Sequence, residues 1–377
     1  TMNNRVYKYF FREFLGYFTL VIFASTAIIW TIQAVNFLDL VTEDGHAFKI
    51  YLFYSFLILP KVITKLIPFA FLLSLIITIM KLENDNELIV LWTSGLNKIH
   101  IVNLIFRISI IIMFFQMIMS CFVNPETLNY SRSLLKNSQL QFIPSLLKEK
   151  RFNDTVEKLT VFVNKKNDDD TFENIFIKDE GTTLTNISTG GSGSTIFAKS
   201  GYVSPDEKSL VLFEGSIHKK SQKGDTNIIK FEKTIINLSN LTTKTTNVPK
   251  IQETSTLNII RCFEEENRYM HNCNVTDEYQ KDLRIEINKR FGMPFYVPLI
   301  SLIICFLLSS RRDKKISSYN KFIYFIIGFI VLVSAEIAVR YSGYSFKHTA
   351  VYYLIPVLML PLTYVLLLRV FKFENLK

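Results

Sequence analysis

Apolar and polar positions along the chain follow two different periods. Six near-continuous apolar runs occupy residues 15–38, 51–80, 100–122, 292–310, 322–340 and 350–370. Each is near or above the roughly 20 residues that a helix needs to cross a bilayer. The second is long enough to tilt or to project beyond the lipid. The first is too long for a cleaved leader and no small-residue cleavage site follows it, so it reads as a retained span. Between the third and fourth runs the apolar stretches shorten: Leu159–Val163, Phe172–Ile177, Thr195–Ala198, Ser209–Phe213 and Asn227–Phe231, with turn-rich pieces between them. Short β-type runs at roughly regular spacing predict an antiparallel sandwich or open barrel. The chain therefore divides into three spans over 1–122, an all-β insertion with helical connectors over 123–285, and three spans over 286–377.

One short stretch breaks the apolar pattern inside the first half. Residues 83–95 lie between the second and third runs and predict a short amphipathic helix. Asn84, Asp85 and Asn86 can cap its start, and Glu87 suits the positive end of the dipole. Leu88, Leu91 and Trp92 share one apolar face, and Gly95 is placed to end the helix in a left-handed conformation. Nothing in the neighbouring sequence is an obvious cover for that face. Two readings follow: a helix lying on lipid, or a coupling helix that docks into a cytosolic motor.

Composition agrees with the membrane reading: 49% of the 377 residues are hydrophobic and 33 are Phe, too apolar for an ordinary soluble chain of this size. The net charge of +10 could suggest nucleic acid, but residues 123–285 carry 22 basic and 22 acidic side chains, so the whole surplus lies in the spans and their short flanks. Arg5, Lys8 and Arg12 precede the first span; Arg311, Arg312, Lys314, Lys315 and Lys321 join the fourth and fifth; Arg369, Lys372 and Lys377 follow the sixth. Lys and Arg enrich cytoplasmic loops, which puts both termini and the 83–95 helix inside and residues 123–285 outside. The charge reports topology and excludes nothing else but a nucleic-acid partner. On the outside, Cys262 and Cys273 could join in a disulfide.

Several polar residues fall within or beside the spans. Gln33, Asn36 and Asp39 recur at a spacing of three at the end of the first; they face protein or water, or sit at the headgroup level. Lys61 and Lys65 are one turn apart in the second and either snorkel or meet an anion such as a lipid headgroup. Glu336 and Arg340, four apart in the fifth, form an ion pair on one face or line a lateral opening. Motifs for chemistry are absent. There is no phosphate-binding loop, no nucleophile elbow and no HExxH, and His46, His100, His218, His271 and His348 are scattered, so no catalytic residue, metal or cofactor is expected.

With these features in place, the chain resembles the LptF/LptG permease family of Gram-negative bacteria over nearly its full length. The matching pieces are Pro60-Lys61 with Pro68, Glu87-Leu88 through Ser94-Gly95, and Arg284, Asn288 and Arg290 followed by Pro294 and Pro298. Tyr7 through Leu15 and Gln33 read more like the F-type branch. The resemblance implies an inner-membrane, multi-pass subunit whose insertion is a periplasmic β-jellyroll. It implies pairing with a second, homologous permease and a dimeric cytosolic ABC ATPase. Such a complex would extract lipopolysaccharide and pass it to a periplasmic jellyroll bridge protein, so the chain is not itself an enzyme. By the same resemblance Glu87 would face a basic residue of the ATPase, with Leu88, Leu91, Trp92 and Gly95 completing the dock. Gln33, Asn36, Lys61, Lys65, Glu336 and Arg340 would lie near the lipid cavity and lateral gate. One departure stands out: the end of the first span, Gln33 to Asp39, has no positive charge, where many members carry basic residues. Alternatives from the residues alone are a permease for another envelope lipid or lipoprotein, and a non-transporting envelope scaffold.

Overall fold

A computed structural model describes residues 2–42, 48–137, 147–154, 158–167, 171–180, 193–204, 209–220, 226–237, 250–264, 277–309 and 314–375. Cys273, Glu43, Asp44, Arg311 and Arg312 lie outside them. Cys262 is disulfide-bonded, whereas Cys121 and Cys305 are free thiols.

Among the described residues, six helical stretches are long and apolar enough to cross a membrane: Arg5–Val41, Phe48–Asn84, Lys98–Leu135, Asp277–Leu308, Tyr319–Ser342 and Phe346–Lys372. Most outrun the apolar runs because their polar flanks continue the helix. The main helices are α1 (Met2–Asn36), α2 (Phe48–Leu57), α3 (Leu59–Asn84), α4 (Glu87–Thr93), α5 (Lys98–Ile118) and α6 (Asn124–Asn137) in the first half. In the second half they are α7 (Thr256–Glu264), α8 (Asp277–Gly292), α9 (Tyr296–Cys305), α10 (Lys314–Ser342) and α11 (Phe346–Asn375).

The chain forms two compact units. The first comprises residues 1–31, 58–128 and 250–377, and the second comprises 32–57 and 129–249. In the first, α3, α5 and α9 supply most of a core that includes Phe71, Leu75, Ile79, Ile101, Ile105, Val297 and Ile300, with Phe10 and Phe14 of α1 set into it. The spans differ in how much of themselves they bury. In the most apolar stretch of the second and fourth, 67% and 72% of residues are buried, against 11% in the first and 17% in the fifth.

A helix through lipid must satisfy every backbone group internally, and proline removes a donor. Pro68 lies inside α3, which leaves the carbonyl of Thr64, four residues back, without its usual partner; the side-chain amide of Gln116 on α5 donates to it at 3.4 Å. Pro125 does the same to the carbonyl of Cys121. There the helix widens into a π-turn over Met119–Val123, and the hydroxyl of Thr256 donates to Cys121 O at 2.6 Å.

The insertion is a six-stranded antiparallel sheet in consecutive order: β1 (Phe152–Asn153), β2 (Leu159–Lys166), β3 (Thr171–Asp179), β4 (Ser194–Val203), β5 (Ser209–Lys220) and β6 (Thr226–Asn237). The five apolar runs seen in the sequence are β2 to β6. Alternate residues such as Val161, Val163, Ile175, Ile177, Ile196 and Leu212 build its core. Pairing skips one position on each of β2 to β6 along a single line: Asn164, Asn174, Lys199, Glu214 and Glu232 have no register partner while the residues on either side do. Asn174 and Glu214 on that line have positive φ, so the strands are creased there without a change of register. Beside the crease, a Cβ on Gly215 would lie 2.1 Å from the carbonyl oxygen of Phe197, and only glycine fits. Lys199 donates to Glu214 at 2.7 Å along the crease, a hydrogen bond that raises the lysine's pKa and holds the carboxyl below its usual range.

Candidate functional site

A cavity of about 340 Å³ opens among α3, α5, the start of α6, α8 and α10, its lining residues all in the first unit. On α3 it takes Lys61, Thr64, Lys65 and Pro68, whose spacing of three, four and seven puts them on one helical face. Gln116 and Asn124 line it from α5 and α6, Glu286, Lys289 and Arg290 from α8, and Glu336 from α10.

The charges around it are unevenly satisfied. Arg290 is only 2% exposed. Its Nε donates to Glu286 at 2.9 Å, Nη1 to Thr254 O at 3.0 Å and Thr256 Oγ1 at 2.8 Å, and Nη2 to Gln252 O at 3.2 Å. Such a buried guanidinium is structural: it clamps the return segment 250–256 to α8. Lys289 donates to Glu336 at 3.1 Å. Lys61 and Lys65 form no ion pair among the described residues. Two ammonium groups one turn apart repel each other, and in apolar surroundings they favour an anionic guest. The cavity is thus a cationic site with two positive charges in excess of its carboxylates.

The expected Glu336–Arg340 pair does not form. Glu336 turns to Lys289 instead, and Arg340 is exposed and outside the cavity lining. Gln33 and Asn36 belong to the second unit, so the structure brings Lys61, Lys65 and Glu336 together but says nothing of Gln33 and Asn36 relative to them. Lys289 and Gln116 were missed. Lys289 is one lysine in a charged connector, whereas Gln116 was a legible signal: a lone amide deep in the third apolar run.

The second candidate site is α4. Asn86 precedes it in a left-handed conformation with φ 58° and makes no side-chain cap, unlike the Asn/Asp capping expected. Gly95 follows with φ +85°. The apolar face is already covered, contrary to the sequence expectation. Leu88 is 5% exposed in the core, and Leu91 and Trp92 pack against it. The Lys98 ammonium sits 5.6 Å from the ring centres of both Trp92 and Phe371, a cation–π clamp. The core that this face joins is built by residues of the spans, among them Leu82, Ile101, Val102 and Phe371, far from α4 or on other helices, which local polarity does not reveal. The apolar side chains α4 leaves outward are Ile89 and Val90, 58% and 64% exposed. Glu87 accepts a hydrogen bond from the Tyr9 hydroxyl at 3.0 Å.

Six membrane-length helices among the described residues, a sheet inserted between the third and fourth, and a cationic cavity among the spans define a multi-pass membrane protein. The match to known families is correspondingly full: "Lipopolysaccharide export system permease LptF/LptG" aligns over residues 8–369. The chain belongs to the LptF/LptG family. It is also 25% identical over 237 residues to the uncharacterized protein RP871 of Rickettsia prowazekii (strain Madrid E), a stretch covering 62% of this chain and 63% of that protein.

Proposed function

We propose that the chain is a permease subunit of an ABC transporter that extracts lipopolysaccharide from the inner membrane and passes it to a periplasmic jellyroll bridge. Family membership across residues 8–369 carries this reading. In it, both termini and α4 face the cytoplasm, and the domain over 123–285 faces the periplasm. A second, homologous permease completes the pore, and a dimeric cytosolic ATPase supplies the energy. Tyr7 through Leu15 and Gln33 favour the F-type position.

The cavity supports a role for Lys61 and Lys65 in holding the phosphates of the lipid. At about 340 Å³ it suits a headgroup fragment rather than a whole glycolipid, so acyl chains would remain on the apolar surfaces of the spans. Gln33, Asn36 and Arg340 would serve the lateral gate. At the motor end, Glu87 with Ile89 and Val90 forms the docking edge, while Leu88, Leu91 and Trp92 root the helix and Gly95 turns the chain out of it.

The test is recovery of the chain from its native membrane, followed by mass spectrometry of bound proteins and lipids. An ABC ATPase, a second six-span permease and lipid A are expected together. Recovery with envelope proteins and no ATPase would overturn the reading in favour of a scaffold; a different lipid would make it a permease for another cargo.

A further inference from the structure

Among the described residues, three polar contacts tie residues 81–87 to the first and fifth spans. Lys81 Nζ lies 2.6 Å from Glu13 Oε2 on α1, and it also sits 5.8 Å from the centre of the Tyr17 ring. Glu83 Oε2 accepts from Lys321 Nζ on α10 at 3.0 Å, where the lysine side chain is only 14% exposed. Glu87 Oε1 accepts from Tyr9 OH on α1 at 3.0 Å. Two contacts reach the first span and one reaches the fifth, the two spans that bury least of themselves within the chain. These two spans leave the most surface for contacts outside this chain, and the three contacts tie their ends to residues 81–87.

We propose that residues 81–87 act as a yoke that transmits displacement of α4 into the first and fifth spans through Tyr9, Glu13 and Lys321. These three are positioning residues, and the inference rests on the reading of α4 as the motor dock. Because Leu88, Leu91 and Trp92 root α4 in the core, the helix cannot swing as a loose loop. A push on it must shift the attached spans or break charge-assisted hydrogen bonds, which are short and strong where partly buried. Glu87 can hold Tyr9 and still meet a cation of the motor, since a carboxylate has about four acceptor positions and the tyrosine uses one.

The test uses the assembled complex in vesicles loaded with lipopolysaccharide, reading lipid released per ATP hydrolysed. Glu83→Lys and Lys321→Glu should each lower that ratio at least about fivefold, the lower end of coupling between linked sites, while ATP hydrolysis continues. The double exchange should restore most of it, which a merely structural loss would not. Tyr9→Phe, a mild change that keeps the ring, should lower the ratio at normal yield. Unchanged ratios in the single variants, or no recovery in a normally assembled double exchange, would overturn the yoke. Absence of an ATPase from the unaltered complex would instead overturn the functional reading on which it rests.

Discussion

The carboxylate of Glu336 lies 3.1 Å from the ammonium of Lys289 on a neighbouring helix and makes no pair with Arg340 on its own. Each of the two carboxylates on the cavity wall thus serves one cation, Glu286 holding Arg290 and Glu336 holding Lys289. Their environments differ. Arg290 is buried with further partners, whereas Lys289 is one-third exposed at its side chain and could exchange Glu336 for a phosphate. Glu336 then acts as a placeholder for the guest's charge, not as a contact to it.

Glu336→Gln should accordingly strengthen retention of phosphorylated lipid A. A unit charge about 8 Å away at an effective dielectric near 20 is worth about 2 kcal/mol, so a rise of roughly tenfold is expected after screening. Mass spectrometry of lipid co-purified with the variant, comparing phosphorylated with dephosphorylated lipid A, measures it. A fall in the phosphorylated form would mean that the carboxylate contacts the guest directly.

The opposite sign is expected at the second span. Replacing Lys61 and Lys65 with Gln removes the two cations without an ion-pair partner among the described residues. A hydrogen bond to a charged group contributes about 1.5–3 kcal/mol, so each lysine should account for at least about a tenfold loss of phosphorylated lipid, with the dephosphorylated form little changed. Equal loss of both forms would sink the phosphate role.

Much of the fold was legible because it is written in periodicity. Long apolar runs became spans, and short alternating runs such as Leu159–Val163 became strands with Val161 and Val163 inward. Partners across helices were not legible in the same way. Nothing local says that Glu336 prefers Lys289, 47 positions back, to Arg340, four positions on. The covered face of α4 was misjudged for a related reason: an amphipathic pattern records that a face is buried, not what buries it. The crease in the sheet was equally hidden, because Asn174 and Glu214 look like ordinary strand positions until their φ angles are seen.

The revised docking edge separates stability from assembly. Leu88→Ala removes a core side chain and should destabilise the protein by about 2–5 kcal/mol, visible as a lower melting temperature in detergent. Val90→Asp alters an exposed position and should leave melting unchanged while abolishing recovery of the ATPase. If Val90→Asp retains the ATPase and Trp92→Ala loses it from folded protein, the docking face is the one predicted from sequence and not the outward one.

The link from Arg290 Nη1 through the Thr256 hydroxyl to Cys121 O makes a prediction about proline chemistry. Cys121 O needs an outside donor because Pro125 has no N–H to offer it. Thr256→Val keeps the shape but removes the hydroxyl, leaving a buried carbonyl and one guanidinium N–H short of a partner. Each buried unsatisfied group costs about 1–3 kcal/mol, so a clear fall in melting temperature is expected. Pro125→Ala restores the backbone donor and lets the π-turn relax toward an α-turn. In that background Thr256→Val should cost less, since the carbonyl no longer depends on the threonine. Residues sharing one network typically couple by about 0.5–3 kcal/mol in such a cycle. Unfolding of the four proteins in the same detergent measures the difference. Equal costs in both backgrounds would mean that Thr256 matters only as an acceptor for Arg290, and that the proline-freed carbonyl is satisfied in some other way.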